Sequence, residues 1–109
     1  MFSPAQKAHE DNYAIYVKYT NASAVNIPAM GATGYQTVTL TTSNTTDLSQ
    51  YVCTGVSAIS LAGGDSAYLA VSGLNVSGST KSIRINNYFS SARTLAVGYV
   101  EVVIAYIKK

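Results

Sequence analysis

The chain has 109 residues, with seven basic and five acidic side chains and a net charge of +2. This length is typical of one domain, and charged residues make up only 11% of it, about half of the usual ~25%. The basic residues are scattered, which argues against the concentrated basic surface that nucleic-acid binding requires. Serine, threonine, asparagine and glycine supply the polarity instead, as is typical of extracellular, virion or fibre proteins.

The N-terminal residues are polar and lack the apolar stretch of a signal peptide. We expect residues 1–11 to form a flexible arm and residues 12–109 to form a single domain. No run approaches the ~20 apolar residues of a membrane-spanning helix, so no membrane span is expected. A virion protein that is assembled in the host cytoplasm would have this composition and would need no secretion signal. An extracellular surface is the alternative location.

In chain order, the predicted elements are strands. Alternating apolar and polar residues predict a first strand over residues 13–20, with Val17 and Tyr19 on its apolar face. A short segment over residues 24–27 ends at Pro28. Further strands are predicted over residues 35–42, 48–54 and 81–89.

The Gly63–Gly64 pair predicts a tight β-hairpin, because adjacent glycines supply the positive φ angles that such turns require. Folding there would place Ile59 opposite Tyr68 and join apolar residues across the strands. Residues 60–71 resemble the Gly-Asp hairpin late in trimeric jelly rolls of the C1q and tumour-necrosis-factor type. That resemblance implies a compact trimer with an aromatic-lined interface.

The last predicted strand, over residues 95–107, is apolar on both faces, with Glu101 as its lone carboxylate. About seven or eight strands with turns every 8–12 residues or so predict an all-β fold, a small antiparallel, jelly-roll-like β sandwich. A strand that is apolar on both faces needs cover on both sides. Since so short a chain has little material for two layers, we expect a symmetric homo-oligomer.

Residues that could carry catalysis are few. Cys53 is the only cysteine and His9 the only histidine, and nothing brings the two together as a thiol–imidazole pair. His9, Glu10 and Asp11 are neighbours, but adjacent residues of a flexible arm do not make a preorganised metal site. We therefore expect no enzymatic activity, no cofactor and no metal.

Tyrosine is abundant, with nine residues, and its large apolar ring with a polar tip is enriched at protein interfaces and sugar-binding surfaces. Alternatively, the tyrosine side chains cap the ends of a small core. For Glu101 we favour pairing with an arginine or a tyrosine hydroxyl at a subunit interface over a buried functional acid. The predicted interface residues are Tyr13, Tyr16, Tyr19, Tyr99, Glu101 and Tyr106.

These features predict a structural virion protein, such as a minor capsid, decoration or spike subunit of a virus or phage. Its expected partners are further copies of itself and other capsid proteins, and nucleic acid is not among them. One alternative is a carbohydrate- or surface-binding module that uses exposed tyrosines to bind a glycan. Another is an extracellular fibre or pilus subunit, in which a strand or arm completes the sheet of a neighbour.

Overall fold

The computed structural model describes residues 14–109, which form eight strands and two short 3₁₀ turns. The predicted arm, residues 1–11, lies outside the described residues. The turns Leu48–Gln50 and Gly64–Tyr68 precede the fourth and fifth strands. The strands are β1 (Ala14–Asn21), β2 (Val25–Ile27), β3 (Tyr35–Thr41), β4 (Tyr51–Leu61), β5 (Leu69–Asn75), β6 (Lys81–Asn87), β7 (Arg93–Leu95) and β8 (Val100–Lys108).

Six strands form one curled antiparallel sheet in the order β4-β8-β1-β3-β6-β5, while β2 and β7 form a separate ribbon. β1 pairs with β8 along nearly its whole length. Its pairing with β3 is confined to Thr20–Thr41 and Asn21–Leu40. The sheet therefore has two three-stranded parts joined at a short seam, the β8 half (β4, β8, β1) and the β6 half (β3, β6, β5).

One hydrophobic core unites both halves and the ribbon. Successive side chains of a strand point to opposite faces, so alternate residues of each strand enter the core. The predicted fold class, an all-β, small antiparallel β sandwich of seven or eight strands, is confirmed. The core side chains, each at most 5% exposed, are Val17, Tyr19, Ile27, Val38, Leu40, Ile83, Ile85, Leu95, Val100, Val102, Ile104 and Tyr106.

The predicted hairpin at Gly63–Gly64 is wrong. β4 pairs with β8, which places Ile59 opposite Val102, and β5 pairs with β6 at the other edge of the sheet. Gly63 does adopt a positive φ of 88°, but the chain then enters the turn Gly64–Tyr68 instead of folding back. Pairing with β8 places β4 against the most apolar strand of the protein, which a local hairpin would not do.

The predicted strand over residues 95–107 is two strands. Gly98, with a φ of 80°, lies in a turn between β7 and β8. The buried amide of Asn21 fixes this turn, because it donates to the carbonyl of Ala96 at 2.9 Å and accepts from the Val100 amide at 3.0 Å. β7 joins the ribbon, and β8 alone retains the apolar character on both faces.

Candidate functional site

The outer face of the β8 half is the most unusual surface of the described residues. Residues opposite each other in an antiparallel ladder point to the same side, so the outward side chains form four rows across β4, β8 and β1. The rows are Val52–Ile107–Ala14, Gly55–Ala105–Tyr16, Ala58–Val103–Lys18 and Ser60–Glu101–Thr20.

Three of these rows are dominated by apolar side chains. Val103, Ala105 and Ile107 of β8 are partly exposed, and the neighbouring Val52 and Tyr16 are 51% and 65% exposed. Scattered exposed apolar residues are normal on proteins, whereas a contiguous apolar surface marks an interaction site. We call this surface the apolar outer face; its residues are Ala14, Tyr16, Val52, Ala58, Val103, Ala105 and Ile107.

Polar residues border the apolar outer face at one end. Glu101 of β8 lies opposite Ser60 of β4 and Thr20 of β1, and it is partly buried. Lys18 lies one row closer to the centre of the face. The predicted interface acid is thus at the margin of this face and outside the core.

The predicted interface tyrosines fall into two groups. Tyr19 and Tyr106 are only 5% and 4% exposed, and their hydroxyls form a buried hydrogen bond of 2.8 Å. Tyr16 and Tyr99 are on the surface, 65% and 40% exposed, whereas Tyr13 lies outside the described residues. Of the predicted tyrosines that the structure describes, Tyr16 alone belongs to the apolar outer face.

Burial also changes the chemistry of the tyrosine pair. Desolvation, together with the hydrogen bond to Tyr19, raises the pKa of Tyr106 well above its ordinary value of 10.0. The ionised phenolate would lose its hydration in the protein interior. The Tyr106 phenol is therefore neutral near pH 7.

Sequence reasoning missed the contribution of β4 to the apolar outer face. Val52 and Ala58 face outward because they lie opposite Ile107 and Val103 of β8. Register shifts between Cys53 and Gly55, and between Val56 and Ala58, interrupt the alternation of β4. The pattern that could have located these residues is therefore absent from the sequence of the strand.

The outer face of the β6 half is polar. Its rows across β3, β6 and β5 are Tyr35–Asn86–Ala70, Thr37–Arg84–Gly73 and Thr39–Ser82–Asn75. The Arg84 guanidinium lies 3.7 Å from the ring centroid of Tyr35. Hydroxyl, amide and guanidinium groups thus cover this half where apolar side chains cover the other.

An aromatic cluster lies at one end of the β6 half. Arg93 of β7 stacks on Phe89 at 3.8 Å and on Tyr68 at 4.8 Å, measured to the ring centroids, and forms an ion pair of 3.1 Å with Asp65. These contacts hold the turn Gly64–Tyr68 against β7. No pattern in the sequence indicates this cluster.

Reactive groups within residues 14–109 are dispersed. No group of three or more histidine, cysteine, aspartate or glutamate side chains in this range could hold a metal ion. Cys53 is half-buried, and its thiol donates to the carbonyl of Val76 at 3.7 Å. Asp47 caps the turn Leu48–Gln50, where the Ser49 amide lowers the pKa of its carboxyl group.

In the described part of the chain, no helix has the length and apolarity to cross a membrane. No protein-family model matches the chain, and neither a curated protein nor a solved structure is significantly similar to it. The function is therefore inferred from the fold and its surfaces.

Proposed function

We propose that the protein is a structural subunit of a virion, a minor capsid, decoration or spike protein, that assembles symmetrically through its apolar outer face. The observation that carries this proposal is the contiguous apolar surface over β4, β8 and β1, with Val103, Ala105 and Ile107 on its central strand. Covering such a surface contributes about 25 cal/mol per Å² of apolar area. A second copy offers an identical surface, which suits a self-complementary interface.

The composition supports the virion context. Charged residues make up 11% of the chain, so its surface is solvated mainly by hydroxyl and amide groups. The proposed place of assembly is the host cytoplasm, and the proposed partners are further copies of this chain and other capsid proteins. In the fibre or pilus alternative, a terminal strand or arm completes the sheet of a neighbour, and the association continues without closure.

Light scattering across a dilution series tests this proposal. The protein is measured alone, without other capsid proteins. We expect either a closed oligomer whose mass persists on dilution or growth to large particles. Open-ended growth alone would favour the fibre alternative. A monomer at every concentration would contradict assembly through the apolar outer face.

The carbohydrate-binding alternative is favoured by a different surface. Tyr35, Tyr68 and Tyr88 lie at one end of the β6 half and are 37%, 41% and 60% exposed. The amide of Tyr88 donates to the carbonyl of Tyr68 at 2.9 Å, which brings their backbones together. Exposed aromatic rings beside the polar side chains Arg84 and Asn86 are the groups with which proteins bind sugars.

Glycan-array binding tests this second candidate. Tyr88→Ala should abolish any glycan retention, while Tyr16→Ala, a matched change of an exposed tyrosine in the β8 half, should leave it intact. If both variants lost glycan retention equally, the aromatic end of the β6 half would be excluded as the binding surface.

A further inference from the structure

A cavity of about 340 Å³ opens at the end of the core where β4 begins. Its walls come from the inner face of the β8 half and from residues 77–79, which lead into β6. It is separate from the apolar outer face, because Tyr106 points inward while its neighbour Ile107 points outward on the same strand. Its lining combines hydroxyl and ammonium groups with apolar side chains. It therefore differs from the apolar outer face and from the polar outer face of the β6 half.

Several side chains in this lining can donate hydrogen bonds. Tyr19 and Tyr106 share one hydrogen bond of 2.8 Å, which uses one of their two hydroxyl hydrogens. The hydroxyls of Ser77 and Ser79 also line the cavity. One phenolic hydrogen and two serine hydroxyls are thus available to a bound acceptor.

Lys81 adds a positive charge. The side chain lines the cavity and is 9% exposed, and its ammonium donates to the carbonyl of Gly78. An ammonium has three donors and no acceptor, so two of its hydrogens remain for a ligand. Among the described residues, no carboxylate lines the cavity to neutralise this charge.

Leu48 and Tyr51 provide an apolar part of the wall. Both residues are partly buried and pack against the core. A cavity of about 340 Å³ is also larger than an isolated phosphate or carboxylate group requires. The space therefore suits a molecule with an anionic group and a short apolar portion.

The geometry points to a binding site for a small organic oxyanion, a molecule carrying a phosphate or carboxylate group. The anionic group lies against the Lys81 ammonium and the free hydroxyl hydrogen of the Tyr19–Tyr106 pair. Ser77 and Ser79 donate the further hydrogen bonds, and the apolar portion contacts Leu48. Charge-assisted hydrogen bonds of this kind are the stronger class in proteins.

Amide chemical shifts of the ¹⁵N-labelled full chain, titrated at constant ionic strength, test this site. Inorganic phosphate should move the amides of residues 77–81 saturably, and phenyl phosphate should bind more tightly because its ring contacts the apolar wall. Benzyl alcohol, which lacks the anionic group, should move none of these amides. Phosphate shifts no larger than those produced by sodium chloride would overturn the proposal.

Two variants and a control assign the binding to named groups. Lys81→Met should weaken phosphate binding about tenfold or more, the loss expected for a charge-assisted hydrogen bond. Ser79→Ala, which removes one of the donors from an exposed loop position, should weaken it several-fold, and this variant tests the site should Lys81→Met fail to fold. Arg84→Met, which removes an exposed charge from the same strand as Lys81, should bind as the wild type does. An equal loss in Arg84→Met would overturn the site.

Discussion

On their inner faces, the two halves of the sheet are alike. Val102 and Ile104 of the β8 half and Ile83 and Ile85 of the β6 half are completely buried in one core. On their outer faces they differ, because threonine, serine, asparagine and arginine cover the β6 half, whereas valine, alanine and isoleucine cover β8.

This difference separates the requirements of folding from those of the proposed assembly. β6 is also a central strand of its half, paired on both sides, and it folds with Ser82, Arg84 and Asn86 facing outward. Val103, Ala105 and Ile107 occupy the equivalent outward positions of β8. Because polar residues suffice at such positions, the fold of the single chain does not require the apolar ones, and the proposed assembly gives them a role.

The largest expected effect tests the likeness of the inner faces. Ile104→Ala and Ile83→Ala should each lower the free energy of unfolding by about 2–5 kcal/mol, since each leaves a cavity in the same core. Urea denaturation of the two variants measures this. A loss below about 1 kcal/mol in one of them would contradict the shared core, because cavities in one packed core carry comparable costs.

A smaller effect compares the inner and outer faces of the β8 half. Tyr106→Phe removes one partner of the buried hydroxyl pair and should lower the free energy of unfolding by about 1–2 kcal/mol. Tyr16→Phe, on the exposed side of β1, should leave it unchanged. Equal losses in both variants would contradict the assignment of these tyrosines to opposite faces.

The raised pKa of Tyr106 adds a pH dependence to this pair. Above pH 10.0, its ordinary pKa, the unfolded chain releases the phenol proton while the folded protein retains it. The unfolded state then binds fewer protons, so stability falls as the pH rises. Denaturation between pH 9 and 11, roughly, should show a steeper loss in the wild type than in Tyr106→Phe, and parallel curves would contradict the buried phenol.

The smallest effect concerns the aromatic end of the β6 half. Arg93→Lys keeps the charge but loses the planar stacking on Phe89 and Tyr68, so the free energy of unfolding should fall by about 1 kcal/mol or less. Hydrogen exchange of the Gly64–Tyr68 amides should become faster. Unchanged exchange there would show that other contacts hold the turn.

The sequence predicted those features that depend on local patterns. Alternation located β1, β3 and β6 within a few residues and placed Tyr19 on the same face as Val17. The short segment ending at Pro28 became β2.

The errors arose where pairing between distant strands decides the structure. Gly63 correctly indicated a turn, but it carried no information about which strands pair on either side of that turn. β4 pairs with β8. Gly98 ended a strand that periodicity alone would have continued. Tyr106 was predicted at an interface because of its residue type, whereas the alternation of β8 directs it into the core.

The most direct test of the apolar outer face compares one charge placed on each half. Val103→Lys and Thr39→Lys introduce the same side chain at outward positions of β8 and β3, and circular dichroism checks that both variants fold. Light scattering should then find Val103→Lys monomeric at concentrations where Thr39→Lys and the wild type are assembled. Assembly of Val103→Lys to the wild-type mass would contradict the account.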